Sequence, residues 1–286
     1  GGVPEKTDAL FVVNRNDLYL GALPLTSLLT ADPSLAVSEV MESDPVHLLA
    51  DTPAAQVAMQ FSDRDLLSAA VVDEKGLLLG RITIDDVVDV IREQGEHSLM
   101  SMAGLDEDED MFAPVFSSTR RRAVWLGVNL ATAFLASWVV GLFQATLDQV
   151  VVLAILMPIV ASMGGIAGSQ TLTLMIRGIA LGQVEKSNSH WLLNKEIMVG
   201  LLNGLAWASI VAVAVFLWFG DWRIGMVIAI ALIINLVVAA VSGVGIPLLL
   251  RRLGIDPALA GSVVLTTLTD VIGFAAFLGL GTLFLT

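Results

Sequence analysis

Apolar positions form long continuous stretches in the second half of the chain and short runs between polar residues in the first half. After residue 120, five segments carry almost no charge, and each exceeds the roughly 20 residues that a membrane-spanning helix requires. They are residues 123–147, 149–176, 197–220, 224–250 and 257–286. The pattern predicts an α-helical polytopic membrane domain with five transmembrane helices.

A small α/β unit occurs twice in the first part of the chain. Short β-type runs are separated by turn signals, Asn14-Arg-Asn-Asp17 and Asp73-Glu-Lys-Gly76, and each pair of runs is followed by a helical pattern. The predicted elements are strands at 10–13 and 18–23 with a helix at 24–29, then a helix at 52–61, strands at 69–72 and 77–82, and a helix at 83–91. This recurring order indicates tandem α/β modules.

Charge separates the same two parts. Residues 1–119 contain 22 acidic and 6 basic residues, a net charge of −16, whereas residues 120–286 have a net charge of +3. The acidic part would repel nucleic-acid phosphates, so no nucleic-acid partner is expected, while divalent cations suit clustered carboxylates. The absence of cysteine excludes disulfides and thiolate metal sites.

The cations that flank the five segments predict their orientation. With the N-terminus inside, eight of the nine Lys and Arg residues after position 119 fall on the cytoplasmic side, and only Arg223 falls outside. The eight are Arg120, Arg121, Arg122, Arg177, Lys186, Lys195, Arg251 and Arg252. We therefore expect a multi-pass protein of the cell (inner) membrane, with its acidic part in the cytoplasm and its C-terminus outside.

One carboxylate interrupts the fifth segment near its middle. Asp270 follows thirteen uncharged residues and precedes sixteen more. A charged side chain at the centre of a bilayer costs about 2.5–3.5 kcal/mol or more and usually faces a bundle interior or a wet pathway. We interpret Asp270 as functional; the alternative is a neutral acid hydrogen-bonded to a neighbouring helix.

The second segment contains an unusual cluster of glycines and polar residues. After Met157-Pro158 comes the stretch Met163-Gly-Gly-Ile-Ala-Gly-Ser-Gln170. Small residues four apart, such as Gly164 and Gly168, favour close helix packing. The same glycines are also typical of an opened backbone whose carbonyls line a cavity. With Ser169 and Gln170 alongside, we favour a wet interior.

Single asparagines occur in three other segments. Asn129, Asn203 and Asn235 are interpreted as donors of interhelical hydrogen bonds rather than as ligands. No second acid, histidine pair or Ser/Lys arrangement is assigned to the spans beside Asp270, so an enzyme is not predicted.

The repeat in the first part resembles a pair of CBS domains. Its second copy contains Gly80-Arg-Ile-Thr83-Ile-Asp-Asp86, similar to that family's Gly-x-x-Thr/Ser-x-x-Asp motif. The resemblance implies contacts from Thr83 and Asp86 to an adenine nucleotide such as ATP. The first copy lacks both polar residues at 21–27. The alternative is that Thr83 caps a helix and Asp86 is an acid of its first turn.

The whole chain resembles the MgtE family of magnesium channels. A CBS pair precedes five spans, of which the second contains Gly164-Gly-x-x-Gly-x-Gln170 and the fifth Leu268-Thr-Asp270-Val-x-Gly273. The resemblance implies a homodimer in which the second and fifth helices line a central pore. It also implies that Mg²⁺ bound among cytosolic acids keeps a plug helix closed.

The same resemblance assigns roles to particular residues. It implies that Asp270 holds a hydrated Mg²⁺ in the pore and that the Thr266 carbonyl contributes there. It implies regulatory Mg²⁺ at the cytosolic residues Asp65, Asp86 and Asp89. The pore-lining residues expected from this reading are Gly164, Gly165, Gly168, Ser169, Gln170 and Thr269.

This sequence departs from the family's pattern at two places. On the plug helix, Arg92, Gln94 and His97 occupy positions that are acidic in the family. In the second span, Ile166 and Ser169 occupy positions where the family has amides. These departures leave open the Mg²⁺-sensing gate and strict Mg²⁺ selectivity.

The predicted domains follow from these motifs. They are a partial first CBS domain at 1–36, a second CBS domain at 37–97, a connecting plug helix with an acidic linker at 98–119, and the channel domain at 120–286. Because the chain does not begin with Met and has no signal segment, we expect a further N-terminal domain before it.

The leading hypothesis is a Mg²⁺ channel gated by its cytosolic module. Alternatives remain: a proton- or Na⁺-coupled secondary transporter of divalent cations, a transporter less selective for Mg²⁺ that also takes Mn²⁺ or Co²⁺, and a membrane-anchored adenine-nucleotide sensor without transport.

Overall fold

The computed structural model describes residues 7–43, 46–105, 109–184 and 187–286. The chain divides into two compact units, Gly1–Glu96 and His97–Thr286. Residues 106–108 of the expected acidic linker and the expected cytoplasmic cation Lys186 lie outside the described residues.

The first unit is an α/β structure with two sheets. The elements are β1 Ala9–Val13, β2 Tyr19–Pro24, α1 Leu25–Thr30, α2 Val37–Val40, β3 His47–Leu49, α3 Ala54–Asp63, β4 Ser68–Val72, β5 Leu78–Thr83 and α4 Ile84–Met102. Strand β1 pairs antiparallel with β2, and β4 is the central strand of the second sheet, parallel to β3 and antiparallel to β5. The expected strand–turn–strand–helix order is confirmed in both copies.

The core of this unit lies beneath the second sheet. Phe61 is 1% exposed and packs in one cluster with Leu48 of β3 and Val87 of α4. The buried residues of α3 lie one to four positions apart on a single face, as an amphipathic helix requires. The turn before β5 forms because the Asp73 carboxylate accepts the amides of Lys75 and Leu77 at 2.9 and 2.8 Å.

The only tyrosine of the chain, Tyr19, lies where the two modules meet. Its amide donates to the carbonyl of Gly76 at 2.9 Å, and its ring contacts those of Phe11 and His47 edge-on. Its hydroxyl is buried without a hydrogen-bond partner among the described residues. Burial, and secondly the negative charge of Glu42, raises the pKa of Tyr19 to about 12.

We therefore expect the single tyrosine to ionise near pH 12 in the folded chain and near pH 10 after denaturation. Because the folded state holds this proton longer, the free energy of unfolding should fall as pH rises from about 10 to about 12. Tyrosinate absorbance measures the midpoint, and Tyr19→Phe should abolish the signal. A midpoint near pH 10 in the folded chain would contradict the buried hydroxyl.

The second unit consists of helices, five of which are long and apolar enough to cross a membrane. The elements are α5 Val115–Gly141, α6 Gln144–Gln149, α7 Val151–Ala180, α8 Ser189–Phe219, α9 Trp222–Arg252 and α10 Pro257–Leu285, the five candidates being all but α6. Asp221 and Asp256 cap α9 and α10 by accepting the amides of Arg223 and Ala258 at 2.8 and 2.9 Å. The expected five-helix membrane domain is confirmed.

Helix α9 is the centre of this unit. Helices α7, α8 and α10 all pack against it, and α5 packs against α10. Side chains such as Ile228 and Leu232 are fully buried along α9 and belong to the largest apolar cluster. The faces of α5 and α8 away from this core are exposed and apolar, as expected for helices in contact with lipid.

Three boundaries of the membrane spans differ by six residues or more from those expected, and one of them is the start of the first span at Val115, eight residues before the expected 123. The first span ends at Gly141, and a separate short helix follows, whereas a single segment to residue 147 was expected. The third span begins at Ser189 instead of 197, so it includes Lys195 and Glu196. Apolar content alone placed the start of this helix after its charged residues, but the helix continues through them.

Candidate functional site

Asp270 lies in the middle of α10 and is partly exposed on the surface of the membrane unit. Its carboxylate makes no hydrogen bond or ion pair with any other described residue. The alternative was a neutral acid hydrogen-bonded to a neighbouring helix, and among the described residues no such partner is found for the Asp270 carboxyl group. The carboxylate oxygens are available to a ligand outside the protomer.

The threonines near Asp270 divide into two groups. The Thr266 side chain is exposed, and its hydroxyl donates back to the carbonyl of Ser262 at 2.7 Å. Thr269 is fully buried, and its hydroxyl lies 3.1 Å from the carbonyls of both Leu265 and Thr266. Thr269 thus faces the interior of the membrane unit. Its hydroxyl donates to the Thr266 carbonyl, the group that was expected to serve the pore. The pore roles of Thr266 and Thr269 stay predictions.

Helix α7 is continuous from Val151 to Ala180, with Pro158 inside it. The opened backbone that we favoured at the glycines is therefore wrong for this structure, and the alternative of close helix packing is the one observed at Gly164 and Gly168. Gly164 and Gly168 are buried because neighbouring helices approach closely there: Asn235 of α9 lies against Gly164, and Leu265 of α10 lies against Gly168.

The other residues of the glycine stretch have a different orientation. A side chain at Gly165 would meet nothing within 4 Å, and Ser169 and Gln170 are exposed. Ile166, one of the departures from the family, is 58% exposed on the same side. The structure therefore brings Gly165, Ser169 and Gln170 to an outward face, and their pore-lining role remains a prediction.

Asn235 joins three helices at one crossing. It is fully buried, and its amide nitrogen donates to the Val160 carbonyl of α7 at 2.9 Å, which confirms the expected interhelical bond. Its amide also lies against Gly164 of α7 and Gly273 of α10, where side chains would overlap it. Its oxygen has no hydrogen-bond partner among the described residues.

Glu196 was not found by the sequence reasoning. It is only 7% exposed, it accepts a hydrogen bond from the Thr171 hydroxyl of α7 at 3.1 Å, and it lies 3.2 Å from the Lys195 ammonium. The statement that no second acid accompanies Asp270 in the spans is therefore wrong. A usable signal was the spacing of Glu196, Gly200, Gly204 and Ala208, four residues apart, which all belong to the buried face of α8.

In the first unit, the predicted nucleotide residues are engaged with each other. The Thr83 hydroxyl donates to Asp86 at 3.0 Å and to Asp85 at 2.5 Å, and the Thr83 amide donates to Asp86 at 3.2 Å. Only the Asp86 part of the helix-start alternative is thus seen: its carboxylate accepts the Thr83 amide, whereas the Thr83 hydroxyl donates to carboxylates. Asp86 also lines a cavity of about 160 Å³ with Thr52, smaller than the ~300 Å³ typical of small-molecule sites.

The expected regulatory residues do not form a metal site by themselves. Asp65, Asp86 and Asp89 are exposed. Across residues 7–43, 46–105, 109–184 and 187–286, no group of three or more His, Asp or Glu side chains is arranged to hold a metal ion. Their role as Mg²⁺ sensors remains a prediction.

The departures on the connecting helix have visible partners. The Arg92 guanidinium lies 3.8 Å from Glu96 one turn later, with both side chains exposed. His97 Nε2 lies 3.1 Å from Asp256, whose other carboxylate oxygen caps α10. The end of α4 is thereby tied to the start of α10 within the membrane unit.

Comparison with known proteins gives matches in both parts of the chain. Residues 157–280 match the MgtE family model, described as a divalent cation transporter, and residues 37–93 match the CBS domain model. The chain is 32% identical over 279 residues to the magnesium transporter MgtE of Thermus thermophilus and 28% identical over 283 residues to that of Bacillus subtilis. These alignments cover 96% and 99% of this chain.

The chain spans less than two thirds of these relatives, 62% of the first and 63% of the second. Among solved structures, a cytosolic domain of the Mg²⁺ channel MgtE in complex with ATP is 38% identical over 30% of this chain and 35% of that chain, with a TM-score of 0.29.

Proposed function

We propose that the chain is a member of the MgtE family, whose model its residues 157–280 match, and that its membrane unit conducts divalent cations, foremost Mg²⁺, through a pore between two copies. The observation that carries the proposal is the Asp270 carboxylate. It is placed midway along an apolar helix, partly exposed and without a partner among the described residues. A carboxylate in that position is costly and is stabilised by a bound cation.

The proposed pore would use one carboxylate from each copy. Two Asp270 side chains facing each other would attract a divalent ion in surroundings of low dielectric constant. Mg²⁺ dehydrates reluctantly and usually keeps several of its waters. The carboxylates would therefore contact the ion's water shell, and the exposed Ser169 and Gln170 of α7 supply further polar groups.

Selectivity is expected to be broader than strict Mg²⁺ recognition. Ile166 offers no hydrogen bond to a hydrated ion, and Ser169 offers a hydroxyl in place of an amide. A hydrated ion is distinguished by how many of its waters are hydrogen-bonded at defined positions. Fewer such groups leave Mn²⁺ and Co²⁺ as further candidate cargoes.

Regulation is proposed to come from the acidic first unit, which the flanking cations predict to be cytoplasmic. Mg²⁺ bound at Asp65, Asp86 and Asp89 would favour a closed pore by binding that state more tightly. An adenine nucleotide at Thr83 and Asp86 would have to compete with the hydrogen bonds that Thr83 donates to Asp86.

Cation uptake by proteoliposomes tests the function. With Mg²⁺ as the only gradient, and with protons and Na⁺ at equal activity on both sides, we expect uptake above that of protein-free liposomes. Mn²⁺ and Co²⁺ should be transported measurably and Ca²⁺ less. Uptake that requires a proton or Na⁺ gradient would support the coupled transporter, and no uptake of any cation would contradict transport.

A further inference from the structure

Helices α7 and α8 enclose a cleft against α9. Both helices pack on α9 and diverge from each other, leaving a half-open space of about 480 Å³. This volume is in the range of small-molecule sites, about 300–1,000 Å³. Its walls are mainly apolar and include Met163, Leu174 and Trp207, while Leu236 and Ala240 of α9 form the floor.

The polar groups of the cleft are concentrated toward one end. Lys195, Glu196, Thr171 and Gln170 line this end, and Asn203 lies farther along α8. The amides of Gln170 and Asn203 make no side-chain hydrogen bond to other described residues. The cleft therefore presents hydrogen-bonding groups that an occupant could use.

The polar end lies at the boundary between the hydrocarbon core and the lipid headgroups. Lys195 is six residues from the start of α8, or about 9 Å along the axis. A helix of 31 residues is about 46 Å long, so about 8 Å at each end projects beyond a ~30 Å hydrocarbon core. From Lys195 to Trp207 the cleft runs a further ~18 Å toward the middle of the bilayer.

The charges at the polar end are of both signs. The Lys195 ammonium is half-exposed, whereas the Glu196 side chain is 9% exposed and lies 3.2 Å from it. Such a pair has no net charge, so it does not favour a purely anionic ligand. It is complementary to a zwitterion, with phosphate near Lys195 and a cationic donor near the Glu196 carboxylate.

We propose that this cleft is a binding site for a membrane phospholipid with a primary-amine headgroup, phosphatidylethanolamine being the chemical type. One acyl chain would lie along Met163, Leu174 and Trp207, and the ammonium would donate to the carboxylate oxygens of Glu196. A primary ammonium has N–H donors for these oxygens, whereas a choline headgroup of equal charge has none. The proposal does not depend on which ion crosses the membrane.

The test is lipid retention by the purified full chain, measured by native mass spectrometry. Phosphatidylethanolamine, its mono- and dimethylated forms, phosphatidylcholine and phosphatidylglycerol with identical acyl chains are added separately at equal concentration. Because charge-assisted hydrogen bonds are lost with each methyl group, retention should fall along the series, by about tenfold from the primary amine to choline. This comparison uses the unmodified chain, so it does not depend on a variant folding.

A matched pair of variants locates the site. Glu196→Gln should reduce the preference for the primary amine over choline to about twofold or less, whereas Trp191→Leu, exposed on the same helix outside the cleft, should retain it. Equal retention of ethanolamine and choline lipids by the unmodified chain would overturn the proposal. An unchanged preference in Glu196→Gln would also overturn it. An altered oligomer mass in that variant, without any change in bound lipid, would likewise overturn it, because it would indicate that a second copy of the chain covers the cleft.

Discussion

Replacing Asp270 with asparagine is expected to reduce Mg²⁺ uptake by at least about 100-fold. At an effective dielectric constant of ~20, a carboxylate attracts a divalent ion ~5 Å away by about 7 kcal/mol before desolvation costs. Asparagine keeps the size of the side chain but removes this attraction. Even if desolvation offsets half of it, the remaining ~3.3 kcal/mol exceeds the ~2.8 kcal/mol that corresponds to a 100-fold change.

Folding should be unaffected by the same substitution, because Asp270 contributes no hydrogen bond or ion pair to the described part of its protomer. Uptake of Mg²⁺ into proteoliposomes, at matched amounts of inserted protein, measures the effect. Asp221→Asn, at the cap of α9, is the matched loss of one carboxylate elsewhere. If Asp270→Asn took up Mg²⁺ as fast as the unmodified chain, Asp270 would not be part of the ion pathway, although the proposal that the protein transports cations would still stand.

Replacing Gly164 with alanine is expected to lower the free energy of unfolding by about 1–3 kcal/mol, whereas the same change at Gly165 should be close to neutral. A Cβ atom at Gly164 would overlap the Asn235 amide, which is fully buried and also held against Gly273 on its other side. The amide therefore has no room to move away. At Gly165 a Cβ atom would meet nothing within 4 Å.

Denaturant or thermal unfolding in detergent compares the two adjacent variants directly. Adding Asn235→Ala to Gly164→Ala should recover part of the loss, because the group that the new methyl overlaps is gone, and the double variant would then show coupling. Equal stability of the Gly164 and Gly165 variants would mean that this helix crossing is looser than the structure indicates.

The five spans and the two α/β copies could be predicted because each depends on a local pattern. Apolar length identifies a membrane helix, and alternating short runs with turn residues identify strands. The roles of Gly164 and Gly168 could not be predicted in this way. Their environment is made by Asn235 and Leu265, which lie far away in sequence, so packing and an opened backbone looked alike until the partner helices were placed.

Glu196 was missed because charge was used to end a span. Its carboxylate is stabilised by Thr171, a residue on another helix, and by the neighbouring Lys195. The motif at Thr83 and Asp86 was ambiguous for a different reason. A hydroxyl and a carboxylate three residues apart at the start of a helix suit both a phosphate contact and a capping box, and here Asp86 accepts hydrogen bonds from both the amide and the hydroxyl of Thr83.

The central position of α9 has a consequence for how the protein is made. Spans are synthesised in chain order, so α5, α7 and α8 leave the ribosome before the helix on which α7 and α8 pack, and before α10, on which α5 packs. Until then the buried faces of α7 and α8, including Glu196, lack their final neighbours. We expect nascent chains arrested before α9 to be the species that membrane chaperones hold and quality-control proteases degrade.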